Sequence, residues 1–198
     1  MSGIEDAKRT TTDACGLQAA RQAVDDGSTV VYAAERLGEL VQQQKLNIKC
    51  IPTSFQSKQL IAQHKLTLTS LDENPVIDVT IDGADEVDLQ LNCIKGGGAC
   101  QLQEKIWVQG VPIEVVPMAY VPLMNKLKEF GGAPVLRMAK NKAGPVVTDN
   151  GNFVLDVNFG LINNAQALND RIKLLPGVVE VGLFCGMAEK AFFGMELA

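Results

Sequence analysis

The stretch from Val76 to Ile106 constrains this chain more than any other. It opens with Val76-Ile77-Asp78-Val79-Thr80-Ile81, a run rich in β-branched residues behind Pro75, and this predicts a short strand. The run ends in Asp82-Gly83-Ala84-Asp85-Glu86, so that three carboxylates gather at and just beyond the strand's C-terminal end. In open α/β sheets that rim is where ligands bind. Lys95-Gly96-Gly97-Gly98 follows, a cation beside a backbone almost bare of side chains. Behind it the pattern turns helical from Gln101 to Ile106, with Glu104 in the first turn. A glycine turn feeding a helix offers unpaired N–H groups to a phosphate or an oxyanion. Singly, each piece is ordinary: Asp-Gly is a common turn, glycine runs are flexible, and Glu-Lys is everyday helix surface. Together they are what proton shuttling beside a bound oxyanion requires.

Composition narrows the classes of function. A chain of 198 residues is long enough for one good core, or for one domain with a smaller companion. Its 46% hydrophobic and 21% charged residues are those of a globular protein. A net charge of −5 argues against a nucleic-acid or anionic-membrane binder, so any phosphate would be held by a local site. The first residues, MSGIEDAKRTTTDAC, lack an apolar signal core, and no run approaches a membrane span; a cytoplasmic location is expected. Cys15, Cys50, Cys93, Cys100 and Cys185 form no CxxC pair and read as reduced thiols. His64 is the sole histidine, which argues against a histidine triad or a histidine-rich metal site.

Taken in order, residues 4–24 predict a weakly amphipathic helix interrupted at Thr10-Thr11-Thr12. Ser28 or Thr29 is a natural N-cap for a second helix, whose Val30, Ala33, Ala34, Leu37, Leu40 and Val41 share one face. Ile48–Ile51 reads as a strand, Phe55–His64 as a helix, and Leu66–Leu68 as a further short strand. This alternation argues for βαβ units and a parallel sheet. After the strand Val111–Val116 the character changes. A helix is expected over Tyr120–Phe130 and a strand over Val135–Met138. A hairpin turns on Asp149-Asn150-Gly151, and a helix near 165–175 precedes a strand over Val178–Phe184. The tail from Ala188 to Gly194 is expected to return to the main sheet. The fold class is therefore α/β: a Rossmann-like parallel-sheet domain (1–117 with 185–198) and a smaller ferredoxin-like α+β lid (118–184).

Asp82-Gly83-Ala84-Asp85-Glu86-Val87-Asp88 and Lys95-Gly96-Gly97-Gly98-Ala99, with Glu104 behind them, resemble the hallmark segments of the ribose-5-phosphate isomerase A family. The similarity continues through CIPTSFQSKQL, GVPIEVVPMAYVP and NKAGPVVTDNGNFVLD, and covers most of the chain from about Asp26. The resemblance implies interconversion of D-ribose 5-phosphate and D-ribulose 5-phosphate through a cis-enediolate, in the non-oxidative pentose phosphate pathway. It assigns to Glu104 the transfer of the proton between C2 and C1, and to Asp82 the protons of ring opening. Lys95, helped by the N–H groups of Gly96 and Gly97, would stabilise the enediolate oxygen. Asp85 would bind sugar hydroxyls or orient Lys95. Gly27, Ser28 and Thr29 would contact the phosphate, and Gly83, Ala84 and Gly98 complete the substrate-binding set. No metal or cofactor is implied. The partner is a small sugar phosphate, neither nucleic acid nor membrane, and relatives are homodimers or larger. A carboxylate base at neutral pH works best with a raised pKa, so the lid is expected to desolvate Glu104.

The chain departs from the family pattern at two internal places. Ala23-Val24-Asp25-Asp26 stands where the family has an apolar strand and a G-x-G, and two aspartates there repel a phosphate. Only Trp107 to Gly110 separate Ile106 from Val111, where the family carries another core strand and a substrate-binding lysine. The family's last strand is also missing from the tail. A parallel sheet without an internal strand must close the gap or expose an edge. A non-catalytic homologue, a sugar-phosphate sensor and a CoA-transferase-like enzyme are the alternatives. The Lys95 turn with Glu104 favours the isomerase over the latter two.

Overall fold

The computed structural model describes residues 10–16, 29–96, 110–140 and 143–194. The chain divides into two compact units, Met1–Gly83 with Phe192–Ala198, and Ala84–Ala191.

In the first unit residues 10–16 are helical (α1) and are followed by α2 (Thr29–Gln44) and α3 (Phe55–Gln63). Cys15 of α1 and Ala33 and Leu40 of α2 form a small core, joined by Leu37, Leu46 and Ile81. The apolar periodicity of α2 is what turns those residues to one side. Ser54 starts α3: its hydroxyl accepts from the Ser57 N–H, and the Ser57 hydroxyl accepts from the Ser54 N–H in return. That reciprocal pair satisfies donors the helix cannot use itself. His64 caps the other end, and Lys65 at φ 56° lets Leu66 N–H reach back to Ile61 O.

The second unit opens with a hairpin of β1 (Glu86–Val87) and β2 (Cys93–Ile94). Then come β3 (Val111–Val115), α4 (Tyr120–Glu129), β4 (Ala133–Leu136), β5 (Phe153–Asn158), α5 (Ala165–Lys173) and β6 (Val178–Val181). This βαββαβ order, with the antiparallel sheet β4-β5-β3-β6, is the ferredoxin-like arrangement. Val111, Ile113 and Val115 of β3 are fully buried and meet Leu155 and Val157 of β5, Leu123 and Leu127 of α4, and Ile172 of α5. Asn164 caps α5, and its side-chain oxygen accepts from Ala167 N–H at 2.9 Å. The Asp149-Asn150-Gly151 turn forms as expected, with Gly151 at φ 80° and Thr148 N–H bonded to Asn152 O. Glu114 ties that turn to β3 by accepting from Thr148 Oγ1 and Asn152 Nδ2. The last strand, β7 (Leu183–Phe184), pairs with β2 to complete a second sheet, β1-β2-β7.

Five expectations change. Val76–Ile81 joins no ladder among the described residues; Val76 is 82% exposed, and Ile77 and Val79 are also exposed, while Ile81 packs on the α2 core. β propensity takes effect only where a neighbouring strand satisfies the backbone and covers the side chains. Cys50 and Leu68 share a single parallel bridge, and among the described residues every longer ladder is antiparallel. Val111–Val115, read from the sequence as part of the parallel sheet, is central to the antiparallel one, because β5 and β6 flank it. The run Val178–Phe184 is two strands, since at Gly182 the chain leaves β3 and takes up β2. Residues 188–194 form no strand.

Candidate active site

Within the first unit the structure brings together three expected site residues, Thr29, Asp82 and Gly83. The Asp82 carboxylate accepts from the Gly83 N–H at 2.8 Å, which folds the motif sharply after Ile81. A methyl group on Gly83 would lie 2.5 Å from Thr29 Oγ1. Glycine is thus required for the first turn of α2 to come against this bend, and it places the expected phosphate-loop threonine beside the expected ring-opening aspartate.

Within the second unit the β1–β2 hairpin sets the geometry. Its register pairs Glu86 with Ile94, and Asp85 N–H donates to Ile94 O at 2.8 Å. Asp85 thus lies at the mouth of the hairpin, bonded to Ile94, the residue before Lys95. The loop end is tied by Asp88. Its Oδ1 accepts the N–H groups of Gln90 and Asn92, and its Oδ2 accepts Asn92 Nδ2, each at 2.8 Å. Desolvation pushes the Asp88 carboxyl up, but these hydrogen bonds outweigh it and hold the group below the usual carboxylate range. Asp88 is therefore a turn-former.

Lys95 itself is held on three sides. Its N–H donates to Gly182 O at 2.9 Å, and Gly182 N–H donates to Pro112 O at 2.7 Å. A side chain at Gly182 would collide with the Lys95 carbonyl oxygen and, at 2.7 Å, with Pro112 Cδ. The Lys95 ammonium lies 5.5 Å from the centre of the Phe184 ring, within cation–π range. Gly96 follows at φ +93°, and its carbonyl accepts from Arg137 Nη1 at 2.8 Å. Arg137 is itself gripped by Asp156: Nε donates to Oδ2 at 2.8 Å and Nη2 donates to Oδ1. That hydrogen bonding raises the guanidinium above its ordinary value; burial opposes the shift, and the charges of Asp156 and Asp85 support it. Burial pushes the neighbouring Cys93 thiol up, against the pull of Lys95, so it stays protonated at neutral pH.

Of the remaining expected residues, Ala84 belongs to the second unit, next to Asp85. Gly27, Ser28, Gly97, Gly98 and Glu104 lie outside the described residues. Arg137, Asp156, Gly182 and Phe184 escaped the sequence reading. No spacing links Arg137 to Asp156 or to Gly96, and only the β4–β5 ladder and the turn at Gly182 bring them together. The one available signal was an arginine closing an otherwise apolar strand, Val135-Leu136-Arg137-Met138.

The family model for ribose 5-phosphate isomerase A (phosphoriboisomerase A) matches residues 49–110 and 107–197. The chain belongs to this family. The ribose-5-phosphate isomerase of Homo sapiens is 48% identical over 225 residues, which cover 99% of this chain and 72% of the human one. Among solved structures, ribose 5-phosphate isomerase A from Methanocaldococcus jannaschii superposes with a TM-score of 0.78 at 34% identity, covering 93% of this chain and 96% of that one. A D-ribose-5-phosphate isomerase in complex with phospho-erythronic acid superposes at 0.77 with 33% identity, covering 89% and 92%. The α/β fold expected from the sequence is the fold of these structures. The two matched stretches of the family model meet at residues 107–110, where only four residues join Ile106 to Val111. The alignment with the human chain runs over 225 positions against 198 residues here, so that chain carries positions with no counterpart in this one.

Proposed function

We propose that this chain is an aldose–ketose isomerase that interconverts D-ribose 5-phosphate and D-ribulose 5-phosphate. The observation that carries the reading is the β1–β2 hairpin, which holds Asp85 on Ile94, next to Lys95, in a chain of the isomerase A family. In the opened sugar a carboxylate removes the C2 proton. The C–H electron pair becomes the C1–C2 double bond, and the aldehyde oxygen takes up negative charge as part of a cis-enediolate. Return of the proton to C1, as the C2 hydroxyl gives up its proton to the C1 oxygen and becomes the carbonyl, gives the ketose. Glu104 is the residue for that transfer, and Asp82 for the protons of ring opening. Lys95 with the N–H groups of Gly96 and Gly97 would stabilise the oxyanion, and Asp85 would orient Lys95 or bind a hydroxyl. Gly27, Ser28 and Thr29 would take the phosphate at the start of α2; Gly83, Ala84 and Gly98 would line the sugar. Residues 118–184 would act as the lid. We further propose a cytoplasmic homodimer or larger homo-oligomer; among the described residues no helix is long and apolar enough to cross a membrane.

A second reading, a homologue that keeps the acid–lysine hairpin without turnover, is favoured by one observation: the family match divides at 107–110. The test is ketose formation from ribose 5-phosphate by the purified chain, with Glu104→Ala in parallel. Wild-type activity that drops by about 100-fold or more in the variant supports the isomerase. A cooperatively folded but inactive wild type defeats it in favour of the second reading.

A further inference from the structure

We infer that Arg137 is a positioning residue for the reaction: its guanidinium, locked by Asp156, fixes the orientation of the Lys95–Gly96 turn. The inference rests on the role proposed above for that turn. It stands on geometry within one compact unit. Asp156 grips two of the three guanidinium nitrogens, Nε and Nη2, which leaves Nη1 to donate to Gly96 O at 2.8 Å. Such a planar, bidentate grip fixes the direction of the third nitrogen, which a lysine could not reproduce.

What Arg137 holds is not incidental backbone. Gly96 directly follows Lys95 at φ +93°, so holding its carbonyl oxygen fixes the backbone from which the lysine projects. On the other side of the turn Gly182 O accepts the Lys95 N–H, so the two residues are held by hydrogen bonds from two separate segments. Donors aimed beforehand at a developing oxyanion are worth most when they need not reorganise. The Asp85 carboxylate adds to the field on Arg137, which places the guanidinium in the electrostatic surroundings of the acid at the mouth of the hairpin.

The experiment compares wild type, Arg137→Lys and Asp156→Asn in steady-state kinetics and thermal melts. A positioning role lowers kcat by about 10- to 100-fold in Arg137→Lys, because misplacing catalytic groups by a fraction of an ångström costs that much. KM for ribose 5-phosphate should stay within about twofold and the melting temperature near wild type, as expected when only transition-state contacts are lost. Asp156→Asn, which keeps Arg137 but loosens its anchor, should fall between. An unchanged kcat, or a loss that merely follows the folded fraction, overturns the inference. NMR reads the hydrogen bond independently of turnover: the amide following Gly96 should shift and exchange faster in Arg137→Lys. An unmoved resonance overturns the inference even where the wild type is inactive, an outcome that would separately defeat the isomerase reading.

Discussion

Asp82, Asp85, Glu86 and Asp88 lie within seven residues of sequence and look alike there, yet the fold gives them different work. Asp82 bends the chain against Thr29, Asp85 bonds to Ile94 at the end of β2, and Asp88 closes the hairpin loop by accepting three hydrogen bonds. Because the folded state holds Asp88 below its ordinary value, its contribution is complete above the unfolded carboxylate pKa of about 3.9 and is lost as pH falls through the lowered value. Asp88→Ala should therefore lower the melting temperature by a few degrees at pH 7, and the gap to wild type should narrow below about pH 4. Parallel melts at pH 7 and pH 3 would check this; an equal gap at both would show that Asp88's charge contributes nothing. The acids and the glycine turn were legible in the sequence because each residue type announces its chemistry. Their division of labour was not, since it depends on which backbone groups the hairpin register turns toward each carboxylate. Arg137 was invisible for the same reason.

At the level of elements, reading was best where local chemistry decides the outcome. Asn164 and Ser54 cap their helices, Gly151 turns its hairpin, and the apolar face of α4 carries Leu123 and Leu127 into the core. Those signals act within a few residues and so survive in the sequence. Strand pairing does not. Val178–Phe184 reads as one strand, but Pro112 O, the Lys95 N–H and the lack of a side chain at Gly182 divide it between two sheets. The ferredoxin-like unit depends on a single continuous core, with Leu127 fully buried among β3, β5 and α5. Leu127→Ala should cost about 2–5 kcal/mol, the transfer of the side chain plus the cavity it leaves. Urea unfolding would measure it; a loss below about 1 kcal/mol would mean that the sheet collapses onto the space without penalty.

For the molecule as a whole, the decisive feature is the short connection between Ile106 and Val111. The sequence already shows it as a departure, and the family match divides there. A run with high β propensity, Val76-Ile77-Asp78-Val79-Thr80-Ile81, meanwhile lies exposed with no strand alongside it among the described residues. Such runs, carrying one charge and three exposed aliphatic side chains, pair readily with copies of themselves. Self-association of this chain should therefore rise with concentration and be weakened by Val79→Lys, since a charge within an open strand opposes pairing. Val79 is 45% exposed, so the substitution should change stability by no more than about 0.5 kcal/mol. Sedimentation velocity of the two proteins across a concentration series reads this directly. If Val79→Lys leaves association unchanged, the run is not the contact, and the exposed aliphatic residues are held apart by Asp78 and the neighbouring turn.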